Sequence, residues 1–349
     1  MSARTKLARL LDGIGVIDAM LRLRNLVGLP WLTSLCYHRT AEPGAEVGLD
    51  GALADATPAQ FDQQLAFLSR YFHFVGVDDI LAFVKQGKKL PPNPVFLSFD
   101  DGYRECLTVT LPIIERHGAK ATFFIPTDFV TNRKLFWWDR IALAVQASKR
   151  ERAEITYPVP LTLELASAPQ KAKADLIAIV KKTKRLDVDR FLEELEQACG
   201  TALTSETQRS LVDSSLMTWD EVAALARAGM DIGSHTRTHR VLQTLDPSEH
   251  AEELRGSRVE LEERLSRPIR SVAYPVGYAL GSDETLRTAV SEAGYDVGFT
   301  CRAGVMPTFS KPDPFDVPRF LMDVSYDAQR FSAFTSLPGL APRTSIDLK

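Results

Sequence analysis

Short runs of apolar residues alternate along the chain with stretches whose apolar positions recur every three or four residues. The runs are Leu35–Tyr37, Phe74–Val77, Val95–Phe99, Ala121–Ile125, Met230–Gly233, Ser271–Tyr274 and Val297–Thr300, and their length suits buried strands. The intervening stretches read as amphipathic helices. "TPAQFDQQLAFLSRYF" opens at Thr57, a side-chain cap, and carries Phe61, Leu65 and Leu68 on one stripe. "DPSEHAEELRGSRVELEERL" opens at Asp246 with Pro247 in the first helical position. "SDETLRTAVSEAGY" runs from Ser282 to a stop at Gly294. Seven strands alternating with helices predict a parallel α/β architecture, a closed or nearly closed distorted (β/α)7-type barrel.

One long segment, about residues 132–215, fits no strand in this pattern and reads as a mostly helical insertion. Its aromatic cluster Phe136, Trp137 and Trp138 is expected to anchor it to the barrel; a sugar-stacking platform is the alternative. The expected organisation is an N-terminal amphipathic helical segment over 1–30, the barrel over 31–335 and a tail over 336–349.

A barrel of this kind carries its chemistry at the C-terminal ends of its strands. Polar residues do follow the apolar runs: His38 after the first, Asp100 and Asp101 after the third, Ser234 and His235 after the fifth, Tyr274 and Pro275 after the sixth. The aspartate pair in "PVFLSFDDGY" is the sharpest signal. Adjacent like charges at the end of a buried run repel and are costly to desolvate, so either a cation sits there or one carboxyl holds a proton. "DIGSHTRTHR" supplies the cation's other ligands. It sets His235 and His239 four residues apart, and in a helical turn that spacing puts both on one face. Two imidazoles and one of the two carboxylates, with a position left open, make a catalytic metal site; the other carboxylate lies beside the open position and can act as a base.

Composition narrows the class without changing this picture. Of 349 residues, 45% are hydrophobic and 25% charged, and the net charge of -3 gives no global pointer to nucleic acid. Cys36, Cys106, Cys199 and Cys301 form no C-x-x-C pair, which argues against a cysteine zinc site or a thioredoxin-type centre and for reduced, buried thiols in a cytoplasmic protein. The N-terminus is basic and amphipathic, with acidic residues and arginines breaking every apolar run. No signal-peptide core and no spanning helix are expected. A helix docked on the domain is expected there, with peripheral contact to a membrane surface as the alternative. Nothing in the sequence bears on oligomeric state.

"FLSFDDGY" and "GSHTRTH" together resemble the first two motifs of the polysaccharide deacetylases with NodB homology. These are metal-dependent hydrolases on a distorted (β/α) barrel that mostly remove N-acetyl groups from amino-sugar polymers. The resemblance covers roughly His38 to Arg319 apart from the insertion. It implies Asp100 as general base, and Asp101, His235 and His239 as ligands of one divalent ion, zinc first, with cobalt, nickel or manganese also accepted by such donors. "SVAYPVGY" is similar to the third motif: Pro275 and Gly277 match, but Ala273 and Val276 stand where many members have an arginine and an aromatic residue. The Ala-Tyr-Pro form resembles one branch of the family. No histidine follows His250, so the late Leu-x-His motif that carries the general acid in many members has no counterpart. "LCYHRT" resembles the early Tyr-His of circularly shifted relatives and makes His38 the expected acid. "DVPRF" resembles a late Pro-Arg element and makes Arg319 the expected partner of Asp100. Tyr103, Tyr274, Pro275, Val276 and Arg319 complete the expected substrate- and oxyanion-facing set. The implied activity is removal of N-acetyl groups from an amino-sugar-containing saccharide. The alternatives are a deformylase, O-deacetylase or lipid-linked-sugar deacetylase, and a catalytically silent carbohydrate-binding barrel.

Overall fold

In the computed structural model, which describes residues 16–27, 31–44 and 53–340, all seven apolar runs contribute strands to one sheet. They become β1 (Trp31–Tyr37), β2 (His73–Phe74), β3 (Pro94–Phe99), β4 (Thr122–Ile125), β5 (Asp231–Ser234), β6 (Ser271–Ala273) and β7 (Val297–Phe299), and a short β8 (Phe320–Leu321) follows. β3 lies parallel to β1 along one edge and to β2 and then β4 along the other; β4, β5, β6 and β7 continue the parallel order. β8 pairs in parallel with β1, Leu35 opposite Phe320, and Val317 bridges Phe299 of β7. The chain from Val317 to Leu321 therefore joins the two free edges and curls the sheet into the distorted barrel. The antiparallel pair Met306–Pro307 covers the other end of β1.

Alternation along β3 sets the two sides of the wall. Val95, Leu97 and Phe99 join the outer core beneath the helices. Phe96 points inward to a smaller core with Leu32, Phe124, Val297 and Phe299, where the Phe96 and Phe299 rings stack at 4.7 Å. Gly233 of β5 is required here, since a Cβ would overlap the Phe124 ring. The same inward parity continues through Ser98 to Asp100, so the barrel interior is apolar below and charged at its mouth.

The helix signals hold. Thr57 accepts from the Gln60 backbone in a capping box that opens helix Pro58–Tyr71, and Phe61, Leu65 and Leu68 are buried; such a cap contributes about 1 kcal/mol. Asp246 and Glu249 form a second capping box with Pro247 at the helix start. Over 132–215 the chain forms helices Trp137–Ala147, Pro169–Lys182, Val188–Cys199 and Ser205–Ser215, and also an antiparallel hairpin, Arg152–Ile155 with Leu161–Glu164. That hairpin departs from the expectation of no strand: its period-two alternation lasts four residues, too short to stand out. Helix Val16–Val27 buries Ile17 and Leu21. The remainder of the expected N-terminal segment, residues 1–15 and 28–30, and residues 341–349 of the tail lie outside the described residues. Among the described residues no helix is long and apolar enough to cross a membrane.

Candidate metal and acid–base site

The strand tips meet at a cavity of about 330 Å³ lined by His38, Asp100, Asp101, His235, His239 and Val276. Asp101 leaves the strand direction through a left-handed backbone (φ 73°). Its Oδ1 lies 3.5 Å from His235 Nε2 and 3.3 Å from His239 Nε2 and is buried without a hydrogen-bond partner. His235 Nδ1 donates to the Ala273 carbonyl at 2.8 Å, which leaves the Nε2 lone pair facing Asp101. Burial pushes His235 down to about 4 and His239 well below its ordinary value, so both imidazoles are neutral, the form that binds metals. Burial, partly opposed by His38 and reinforced by Asp100 and Asp139, pushes Asp101 up to about 7. One carboxylate oxygen and two imidazole nitrogens lying within 4.8 Å of one another fit a divalent ion of the zinc type, and the unpartnered Asp101 Oδ1 is the atom that such an ion would satisfy.

The two histidines do not converge through a helical turn, as their spacing suggests. Residues 235–239 form an irregular loop in which Thr236 (φ 62°) and His239 (φ 52°) are left-handed. Non-glycine residues take that conformation at a cost of about 1–2 kcal/mol each, and such strain gathers at functional sites. The loop is pinned on several sides. The buried Glu253 carboxylate accepts from the Arg237 and Thr238 amides, both at 3.0 Å. The His235 amide donates to the Ile125 carbonyl at 3.0 Å. Trp137 Nε1 donates to the His239 carbonyl at 3.4 Å, and the Trp138 ring meets the His239 ring edge-on at 4.5 Å.

Asp100 is held differently from its neighbour. Arg319 reaches it with both ends of its guanidinium, Nη1 to Oδ1 at 2.7 Å and Nη2 to Oδ2 at 2.8 Å. The guanidinium is fully buried. It also donates to Ser98 Oγ at 3.0 Å and the Thr300 carbonyl at 3.3 Å, and rests over the Phe124 and Phe299 rings of the barrel floor. Burial raises the Asp100 carboxyl, but the Arg319 charge and its hydrogen bonds outweigh it and hold the group well below the usual carboxylate range. Two adjacent aspartates are thus driven apart: Asp100 is a firm carboxylate, and Asp101 is left to a proton or a cation.

His38 follows β1 and donates from Nδ1 to Asp55 Oδ2 at 3.0 Å; its backbone amide donates to the same oxygen. Burial lowers the imidazole, yet the Asp55 charge and hydrogen bond prevail and raise it to about 10. Asp55 escaped the sequence reading because it sits in a three-residue strand, Ala54–Ala56, which carries no periodic signal. Other predicted residues are not brought to the cavity. Tyr103 is fully buried and shares its hydroxyl with Asp139 (3.2 Å) and Trp138 Nε1 (2.8 Å). Tyr274 points its hydroxyl at the Phe315 carbonyl (3.0 Å), and Pro275 is buried beside it. Val276 does line the cavity, in a left-handed conformation (φ 62°). The walls add Trp137 and Trp138 of the aromatic cluster noted in the sequence, together with Leu53, Ile177, Lys181 and Leu321, which no motif singles out.

Comparison with known proteins bears on the family and the fold. The family model for polysaccharide deacetylases matches residues 87–158 and 180–298, more than half of the chain. The deacetylase PplD of Streptococcus pyogenes, solved with acetate, superposes with a TM-score of 0.54 at 16% identity, covering 90% of this chain and 99% of its own. A polysaccharide deacetylase of Bacillus cereus gives 0.53 at 15% identity over 87% and 69% of the two chains. IcaB of Ammonifex degensii gives 0.52 at 18% identity over 89% and 98%. At such identities these likenesses establish the barrel fold. No curated protein sequence matches the chain.

Proposed function

The chain belongs to the polysaccharide deacetylase family, and from that premise we propose that it hydrolyses N-acetyl groups on an amino-sugar-containing saccharide, with a divalent ion, zinc first, held by Asp101, His235 and His239. The observation that carries the reading is the division of labour between the two aspartates. One is unpartnered and faces two neutral imidazoles, and the other is fixed as a carboxylate by Arg319.

When bound, such an ion supplies Lewis acidity and brings the pKa of a water to about 7. The chain's own residues do the rest. Asp100 accepts the proton of the attacking water, and Arg319 keeps its oxygens oriented and ionised. Val276 lines the cavity, and its backbone N–H is the candidate donor to the developing oxyanion, a role typically contributing about 3 kcal/mol. His38, kept protonated by Asp55, hands a proton to the departing nitrogen. An amine leaves poorly without that proton, so the charged His38 favours an amide over an O-acetyl ester. The apolar wall of Leu53, Ile177, Trp138 and Leu321 favours acetyl over formyl, since burying one more methyl group contributes about 0.8 kcal/mol.

Residues 132–215 we take as an insertion on the barrel; the family match is broken within it at 159–179 and runs on through the rest. Four buried cysteines, none of them in a disulfide, support a reducing, cytoplasmic setting, where precursors or lipid-linked sugars are the available substrates. The test is acetate release from N-acetylglucosamine oligomers and from lipid-linked N-acetylated sugar. Release abolished by a chelator and restored by a divalent ion is expected. Tight sugar binding without turnover in the metal-loaded protein, or formate release alone from formylated analogues, would overturn the reading.

A further inference from the structure

Two thiols flank the Asp100–Arg319 pair and have no part in the reaction above. Cys36 is the penultimate residue of β1, and Cys301 lies two residues beyond β7. Both are buried, at 0% and 3% exposure, yet Cys301 lines the cavity and is reachable from it. Their sulfurs are 3.9 Å apart. Cys36 Sγ–H donates to Asp100 Oδ2 at 3.4 Å, and Arg319 Nη2 donates to Cys301 Sγ at 3.5 Å. The other two thiols show no such pairing: Cys106 Sγ faces the His38 carbonyl at 3.8 Å, and Cys199 is buried in the outer core.

We propose that Cys36 and Cys301 form a reversible dithiol–disulfide site that peroxide closes and that governs the Asp100–Arg319 pair. The chemistry needs three things, and each is in place. A cation beside the attacking sulfur favours its thiolate, and Arg319 Nη2 stands beside Cys301. A base must take the resolving thiol's proton, and Asp100 already accepts from Cys36. The sulfurs, 3.9 Å apart, must close to a bond of about 2.0 Å, a travel of roughly 2 Å shared between two adjacent side chains. In the first step the Cys301 thiolate attacks one oxygen of hydrogen peroxide; the O–O bond breaks, an S–O bond forms, and the released hydroxide takes a proton to leave as water. In the second step the Cys36 sulfur attacks the Cys301 sulfenic acid; the S–S bond forms, the S–O bond breaks, and the hydroxide leaves as water with the Cys36 proton, passed through Asp100. Two thiols and one peroxide become one disulfide and two waters; the sulfurs lose two electrons and the peroxide gains them. Closing the bond removes the S–H donor from Asp100 and draws Cys301 Sγ away from Arg319. Transient disulfides of this kind suit a cytoplasmic protein.

The experiment treats the native, metal-loaded protein with hydrogen peroxide, unfolds it in alkylating agent, and maps the peptides without reduction. A cross-linked peptide pair containing Cys36 and Cys301 is expected. Dithiothreitol should abolish it, and Cys36→Ser should prevent it, leaving oxidised Cys301 monomeric. Turnover should fall at least tenfold on oxidation and return on reduction. Complete alkylation of both cysteines, or Cys301 sulfinic acid with no cross-link, overturns the site; a cross-link with unchanged turnover overturns its control of the pair. This second readout rests on the deacetylase reading, whereas the cross-link does not. A reduced, metal-loaded protein that releases no acetate condemns that reading and leaves the peptide map to decide the site.

Discussion

Replacing Asp55 by asparagine isolates the electrostatic part of the acid role of His38. Asparagine retains an oxygen for the His38 N–H groups and removes the charge. In the native protein His38 is raised from 6.5 to about 10, because the Asp55 charge and hydrogen bond, aided by Asp101 and Asp100, overcome burial. Burial alone acts in the opposite direction, so in Asp55→Asn the imidazole falls back toward 6.5. The acid works only while protonated, and activity is therefore lost as pH rises through the His38 pKa. At pH 8 the protonated fraction drops from about 0.99 to about 0.03, roughly a thirtyfold loss in kcat/KM for an amide substrate from protonation alone. The alkaline limb of the pH profile moves down by about 3.5 pH units over the same change. The assay is the pH dependence of kcat/KM on an N-acetylated oligosaccharide beside an activated acetate ester, whose leaving group needs no proton. An unshifted alkaline limb, or equal losses on amide and ester, would refute the reasoning.

Arg319→Ala should lower turnover on the order of a hundredfold through misplacement of Asp100 while leaving metal content unchanged. It should also destabilise the fold by roughly 3–5 kcal/mol, because a buried carboxylate loses its bidentate partner; lost metal or unaltered turnover would contradict the assignment. Trp137→Phe removes the N–H that holds the His239 carbonyl and should weaken metal affinity about tenfold, the scale of outer-shell changes, as read by competition with a chromogenic chelator. An affinity equal to wild type would mean that the left-handed His239 is held by its own loop.

The sequence spoke clearly where one physical signal acted alone. Buried parallel strands need unbroken apolar runs, and seven such runs gave seven strands. It spoke less clearly where a signal was short or compound. β2 ends at Phe74 because Gly76 already caps helix Val77–Gln86, so the run continues from strand into helix. β8 has two residues and carries Arg319 just before it; only the resemblance of "DVPRF" marked it. The aspartate pair and the two histidines were legible as chemistry because charge at the end of an apolar run demands an explanation. Their convergence through left-handed Asp101, Thr236 and His239 was not, since nothing in those residue types announces the conformation. Cys301 and the walls at Ile177 and Lys181 reach the cavity, and Asp55 reaches His38, only through tertiary packing, which no local pattern encodes.

Metal stoichiometry by mass spectrometry, after reconstitution with zinc and gel filtration, tests the central claim most directly. One ion per chain is predicted for the wild type and for His38→Ala, with less than a tenth of that for Asp101→Ala and His235→Ala. A wild type that retains no ion, or folded Asp101 and His235 variants that retain a full one, would contradict it.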